Sequence, residues 1–358
     1  MRVRPRMYVA AAVAALVGLI TAVAAGATPA PPAAAAGVCR NVHLPIGLSA
    51  RAPQNLALFG ELCTPASGTP RTIQVLVHGA TYSHTYWNFP GFDGRYSYSA
   101  AMNRAGYATL ALDLLGVGGS SHPASLTVTL DTEAYAIHAA IQAARSGALG
   151  TPYARVLLVG HSLGTLTSDV EIATYHDVDG FIATGTSHGP GALGLARILS
   201  GTRPALLDPV TRPQVPAGDL GYLTIPGART AFYAGGDVDP AVRAADEATR
   251  SPDPAAYAAT LGPYLLATPL LRTNEITVPV LLVDGTGDAV FCAQGQGLSG
   301  TDCSSAAALR ASEARSYGPA AHLATYVLPR AGHDINLVPN AQLWFAAAAA
   351  WCRQVAPA

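Results

Sequence analysis

Charge is scarce in this chain. Only 12% of its 358 residues are charged, and the formal net charge is −1. With no basic stripe to neutralise a phosphate backbone, nucleic acid is excluded as a partner. Cysteine is nearly as sparse, at five residues. None stands in a Cys-x-x-Cys pair, so a dithiol redox motif is excluded, and no Cys/His cluster has the spacing of a metal site. The only acidic loop of note, Gly236-Asp237-Val238-Asp239-Pro240, offers two carboxylates without further ligands and reads as a turn rather than a cation site. There is no internal repeat, no run of like charge and no adjacent arginine pair near the N-terminus that would point to twin-arginine export.

What is present is apolar: half the residues, enough for a large core covered on both sides. Arg2, Arg4 and Arg6 precede an almost uncharged apolar run over residues 8–27 and an Ala/Pro-rich stretch to residue 37. Charge, then apolar run, then small residues is the layout of a secretory signal, with cleavage expected after Ala27 or Ala36. The run is also long enough to remain as a membrane anchor, which is the alternative. Val38 before Cys39 is a poor lipoprotein site. After cleavage no stable membrane association is expected. Cysteine placement agrees with export: Cys39 and Cys63 flank a first hairpin, and Cys292 and Cys303 flank a Gly-rich loop. Each pair would close a short loop, worth about 3 kcal/mol by chain entropy. Cys352 is left over, in the last expected helix.

The strongest local signal is VLLVGHSLGTLT, residues 156–167. Residues 156–159 read as a buried parallel strand, and the segment after Gly164 reads as a helix. Between them, Gly160-His161-Ser162-Leu163-Gly164 places a serine on a sharp turn where glycines avoid a clash. In that context the pentapeptide resembles the nucleophile elbow of the α/β-hydrolase family. Other segments strengthen the resemblance. An apolar strand at 72–77 runs into His78-Gly79-Ala80, similar to the family's oxyanion loop. Residues 113–120 resemble its Asp-x-x-Gly-x-Gly-x-Ser segment, in which Asp113 is structural. A strand at 280–283 leads to Asp284-Gly285-Thr286-Gly287-Asp288, where two carboxylates compete and Asp288 matches the family's position. Of ten histidines, only His333 lies just past a strand (323–328) and C-terminal to both Ser162 and Asp288. The order Ser, Asp, His is the one this fold uses.

The resemblance implies a mostly parallel central sheet with helices on both faces and a helical cap inserted at about residues 186–277 of a hydrolase domain spanning 37–358, after a processed segment 1–36. It implies Ser162 as nucleophile, His333 as general base and Asp288 as its partner, with the Ala80 and Leu163 N–H groups binding the oxyanion. Neither metal nor cofactor enters such chemistry. Seven aromatics from Tyr82 to Tyr98 form an expected apolar wall, so Tyr82, Trp87 and His161 are expected substrate contacts. In the cap, Tyr222, Phe232, Tyr233, Tyr257 and Tyr264 are further candidates to face the substrate. The expected activity is a secreted serine esterase or lipase-like hydrolase acting on a small apolar ester or lactone. Acyltransferase or lyase chemistry on the same triad is the alternative, and a non-catalytic binder is disfavoured because no triad member is missing. No feature specifies an oligomeric state.

Overall fold

The computed structural model describes residues 37–292 and 300–358. The expected signal segment therefore lies outside the described residues. Segments of five to nine residues form the strands β1 (Val38–Ile46), β2 (Leu56–Thr64), β3 (Thr72–Val77), β4 (Ala108–Asp113), β5 (Arg155–His161) and β6 (Gly180–Thr184), β1 alternating between exposed and buried side chains and β3 to β6 largely apolar and buried. Helix α1 (Tyr98–Arg104) precedes β4, α2 (Leu130–Ser146) follows it, and α3 (Leu163–Tyr175) follows β5. Thr129 caps the start of α2 by accepting from the Thr132 N–H, and Gly147 ends it in the left-handed region.

Between β6 and the next long strand lies an insertion. It holds α4 (Ala192–Ser200), β7 (Arg203–Pro204), β8 (Tyr222–Thr224), α5 (Arg229–Phe232), α6 (Pro240–Ala248), β9 (Asp253–Pro254) and α7 (Ala255–Leu266). The three short strands pair antiparallel in the order β7-β8-β9. The insertion thus holds a small antiparallel sheet beside its helices. Then come β10 (Val280–Gly285), α8 (Ala306–Glu313), β11 (Ala324–Leu328) and α9 (Ala341–Val355).

The main sheet has the order β1-β2-β4-β3-β5-β6-β10-β11. β1 and β2 run antiparallel at one edge, and from β4 to β11 all neighbours are parallel. Period-two alternation divides the strand side chains between two cores. Ile73, Val75, Val77, Val156 and Leu158 pack with Ile137 and Ile141 of α2 and Val170 of α3. Leu76, Leu157 and Val159 face the other way, onto Met102 of α1 and Trp344 and Phe345 of α9. Both faces are covered, which is why these strands read as continuous apolar runs. The Cys39–Cys63 disulfide joins directly opposed residues of β1 and β2, Cys292–Cys303 closes the second loop, and Cys352 is a buried free thiol.

Candidate active site

In an open parallel sheet, loops at the carboxyl ends of the strands gather on one rim. Here the loops after β3, β5, β10 and β11 deliver His78-Gly79-Ala80, Ser162, Asp288 and His333 to that rim. Ser162 stands between the last residue of β5 and the first of α3, with φ 54° and ψ −122°. Left-handed φ at a serine is uncommon and costs of order 1–3 kcal/mol, so the surroundings must enforce it. They do so by close backbone approach. A Cβ on Gly160 would stand 2.6 Å from Thr165 Cα, and one on Gly164 would stand 2.3 Å from the His78 carbonyl. The Ser162 N–H donates to the Thr184 carbonyl at the end of β6 (2.8 Å).

His333 Nδ1 lies 2.8 Å from Asp288 Oδ2, with both residues buried. Asp288 Oδ1 accepts from the Val290 and Phe291 N–H groups (2.7 and 3.1 Å). Burial alone would raise the Asp288 pKa, but His333 and these donors together hold it below the usual carboxylate value. Burial likewise opposes charge on His333, and Asp288 outweighs it, so the imidazole pKa is raised. An ionised Asp288 fixes the proton on Nδ1 and leaves the Nε2 lone pair free. Nε2 has no hydrogen-bond partner among the described residues. Asp284, the competing carboxylate, does not reach His333. Its Oδ1 accepts from the Thr186 N–H (3.0 Å), and burial, followed by the Asp288 charge, pushes its carboxyl well up.

Ala80, Ser162 and Leu163 line one apolar cavity of about 210 Å³. Leu163 is the first residue of α3, so its N–H has no intrahelical acceptor and lies where the helix dipole favours an anion. His333 packs between Phe232 and Phe291 (ring centroids 5.2 and 5.7 Å), both of which line the same cavity. The rest of the wall is mostly aliphatic, with Leu195, Ile198 and Leu199 of α4, Leu223 and Ile225, and Leu261 and Leu265 of α7, and its further polar members are Thr202 and Asp253.

The three expected substrate contacts lie elsewhere. Tyr82, Trp87 and His161 are buried and do not line this cavity. The Tyr82 hydroxyl lies between Asp246 Oδ2 (3.1 Å) and Asp334 Oδ2. Trp87 packs edge-on against Tyr86 and Tyr98, inside the second core. His161 stacks on Tyr86 (4.4 Å), and its Nδ1 lies 3.1 Å from Thr184 Oγ1. Burial, then the nearby His333, lowers its pKa well below 6.5, so it is neutral. The aromatic loop turned inward because its rings bury more area in the core than a rim could offer. Of the aromatics expected from the insertion only Phe232 lines the cavity; the Tyr222, Tyr233 and Tyr257 hydroxyls bond to Pro123 O, Asp246 and Thr167. The aliphatic lining was missed, although Leu195, Ile198 and Leu199 sit at helical spacing and were visible as an amphipathic turn.

Among solved structures, the fold is similar to a soluble variant of monoglyceride lipase from Saccharomyces cerevisiae in complex with a substrate analog (15% identity, 91% of this chain and 98% of that one, TM-score 0.58). It is similar too to monoacylglycerol lipase of Paleococcus ferrophilus (18% identity, 84% and 100%, TM-score 0.54). A bromoperoxidase from Bacillus anthracis matches as well (18% identity, 87% and 98%, TM-score 0.55). Identities this low speak for the fold alone. No curated protein matches the chain in sequence. The profile of the Alpha/beta hydrolase family matches residues 74–348, more than half of the chain, which therefore belongs to that family.

Proposed function

We propose that the protein is a secreted serine hydrolase that cleaves carboxylic esters or lactones of small apolar substrates. One observation carries the reading: a serine on a strained strand-to-helix turn opens onto an apolar cavity beside a buried His333–Asp288 pair with a free Nε2. Neighbouring folds named as lipases agree with it. Their company includes a bromoperoxidase, so the chemistry must be argued from the site.

A serine hydroxyl attacks well only if its proton is removed during attack. His333 Nε2 takes that proton, then gives it to the leaving alkoxide, while Asp288 holds the imidazolium. The Ala80 and Leu163 N–H groups receive the oxyanion, each worth roughly 3–4 kcal/mol in the transition state. Water, activated by the same histidine, releases the acid. The insertion acts as the cap that roofs the acyl group and keeps bulk water out.

The test is labelling and turnover together. A fluorophosphonate should modify Ser162 in the intact protein, and Ser162→Ala should lose both the label and hydrolysis of p-nitrophenyl hexanoate. A label on another residue, or full activity in the variant, would refute the assignment. Product analysis with a competing alcohol separates hydrolysis from acyl transfer.

A further inference from the structure

Residues 79–82 make a tight turn, closed by the Tyr82 N–H donating to the Gly79 carbonyl (3.2 Å). Ala80 and Thr81 are its central residues. Thr81 has φ 62°. That position of a turn calls for glycine or asparagine, and a β-branched residue there is an outlier that its surroundings must hold in place. The core does not supply the hold. The Thr81 N–H donates to Asp253 Oδ2 (2.8 Å). Arg229 donates through Nη1 to Thr81 Oγ1 and through Nη2 to the Thr81 carbonyl (3.0 Å). The Ser251 N–H donates to that same carbonyl (2.9 Å). Each polar atom of Thr81 is thus engaged by residues 229–253 of the insertion.

Arg229 is itself fixed. It is 1% exposed, its Nε lies 3.2 Å from Asp246 Oδ2, and its guanidinium stacks 4.0 Å over the Tyr82 ring. Arg229 does not itself line the cavity, although its guanidinium lies 5.7 Å from the ring of Phe232, which does, as does Asp253. We infer that Arg229 and Asp253 are positioning residues, holding the turn so that the Ala80 N–H faces the oxyanion. The insertion then completes the catalytic site as well as roofing it. This rests on the reading of Ala80 as an oxyanion donor.

Glycine at 81 supplies the sharpest test, because it takes positive φ without help. The measurements are kcat and KM for p-nitrophenyl hexanoate, the rate of fluorophosphonate labelling, and a thermal melt for each variant. Arg229→Met should lower kcat and labelling rate at least tenfold with KM within about twofold, since removing an oxyanion donor outright costs about 10²–10³. Thr81→Gly in the Arg229→Met background should restore most of that loss. A merely structural role for Arg229 would show in the melt and would not respond to glycine at 81. Asp253→Ala should behave like Arg229→Met. Asp253→Asn keeps an oxygen acceptor for the Thr81 N–H and should recover to within about threefold of wild type, a pair that decides the matter if Arg229→Met fails to fold. Wild-type kcat in folded Arg229→Met and Asp253→Ala, or a double variant no faster than Arg229→Met, would overturn the inference. A wild type that neither turns over ester nor labels at Ser162 would refute the underlying reading and this one with it.

Discussion

On the proposed mechanism, the charge state of single residues sets when this site can work. His333 would have to be neutral to accept a proton, and Asp288, outweighing burial, raises its pKa above the ordinary 6.5. Activity should therefore climb as pH rises through a midpoint above 6.5, read as the acid limb of kcat/KM. Asp288→Asn removes the charge that orients the ring and should lower kcat by orders of magnitude. Asp284→Asn should leave kcat nearly unchanged and alter only the melting temperature, because that carboxyl binds the Thr186 N–H instead. Asp253 gives a test independent of turnover. Burial, opposed by the Thr81 N–H and Arg229, pushes its carboxyl up to about 7 from 3.8. A folded pKa above the unfolded one means that the folded form holds the proton longer. Its contribution is thus full below pH 4 and is lost as pH rises to about 7. Asp253→Asn should flatten the fall of melting temperature across that window.

Among the elements, the strands of the main sheet were legible and the short strands of the insertion were not, for a physical reason. Strands such as β3 and β5 are buried on both faces, so their apolar runs announce them. β7 and β9 are two residues long, too short for any period, and are held by partners distant in sequence. The aromatics misled because ring content says nothing about direction. All the aromatics from Tyr82 to Tyr98 except the exposed Phe92 pack inward, and leucines of α4 and α7 make much of the wall. A wall of that kind favours alkyl chains, at about 0.8 kcal/mol per buried methylene. The cavity, about 210 Å³, is smaller than the roughly 300–1,000 Å³ usual for drug-sized ligands. Along a p-nitrophenyl ester series kcat/KM should rise at least tenfold from acetate to hexanoate, which needs about 1.4 kcal/mol, and fall for long chains. Ile198→Trp, filling the cavity from α4, should move the optimum toward acetate.

The molecule as a whole joins a legible frame to a join that no local pattern reveals. Ser162, Asp288 and His333 each stand just past a strand, on the rim where an open parallel sheet gathers its loops. Arg229 and Asp246 lie far apart in sequence from Thr81 and Tyr82, and nothing local ties them together. Export is an expectation that rests on the first residues and the cysteine placement. Secreted material should lack the first 27 to 36 residues and carry two disulfides with one free thiol, read by intact mass before and after reduction. Opening either bond should cost about 3 kcal/mol of stability. Residues 229–236 also meet the loops that carry Asp288 and His333. The Phe232 carbonyl accepts from the His333 N–H (2.7 Å), and a Cβ on Gly287 would stand 2.1 Å from the Gly235 carbonyl. For anyone recombining such chains, the obvious crossover points at either end of the insertion are therefore the wrong ones. A chimera that imports a foreign insertion inherits the sheet and the serine, yet loses the fit to three loops at once. It should fold and stay silent unless residues 79–82, 285–288 and 331–334 travel with 229–253 as one heritable block.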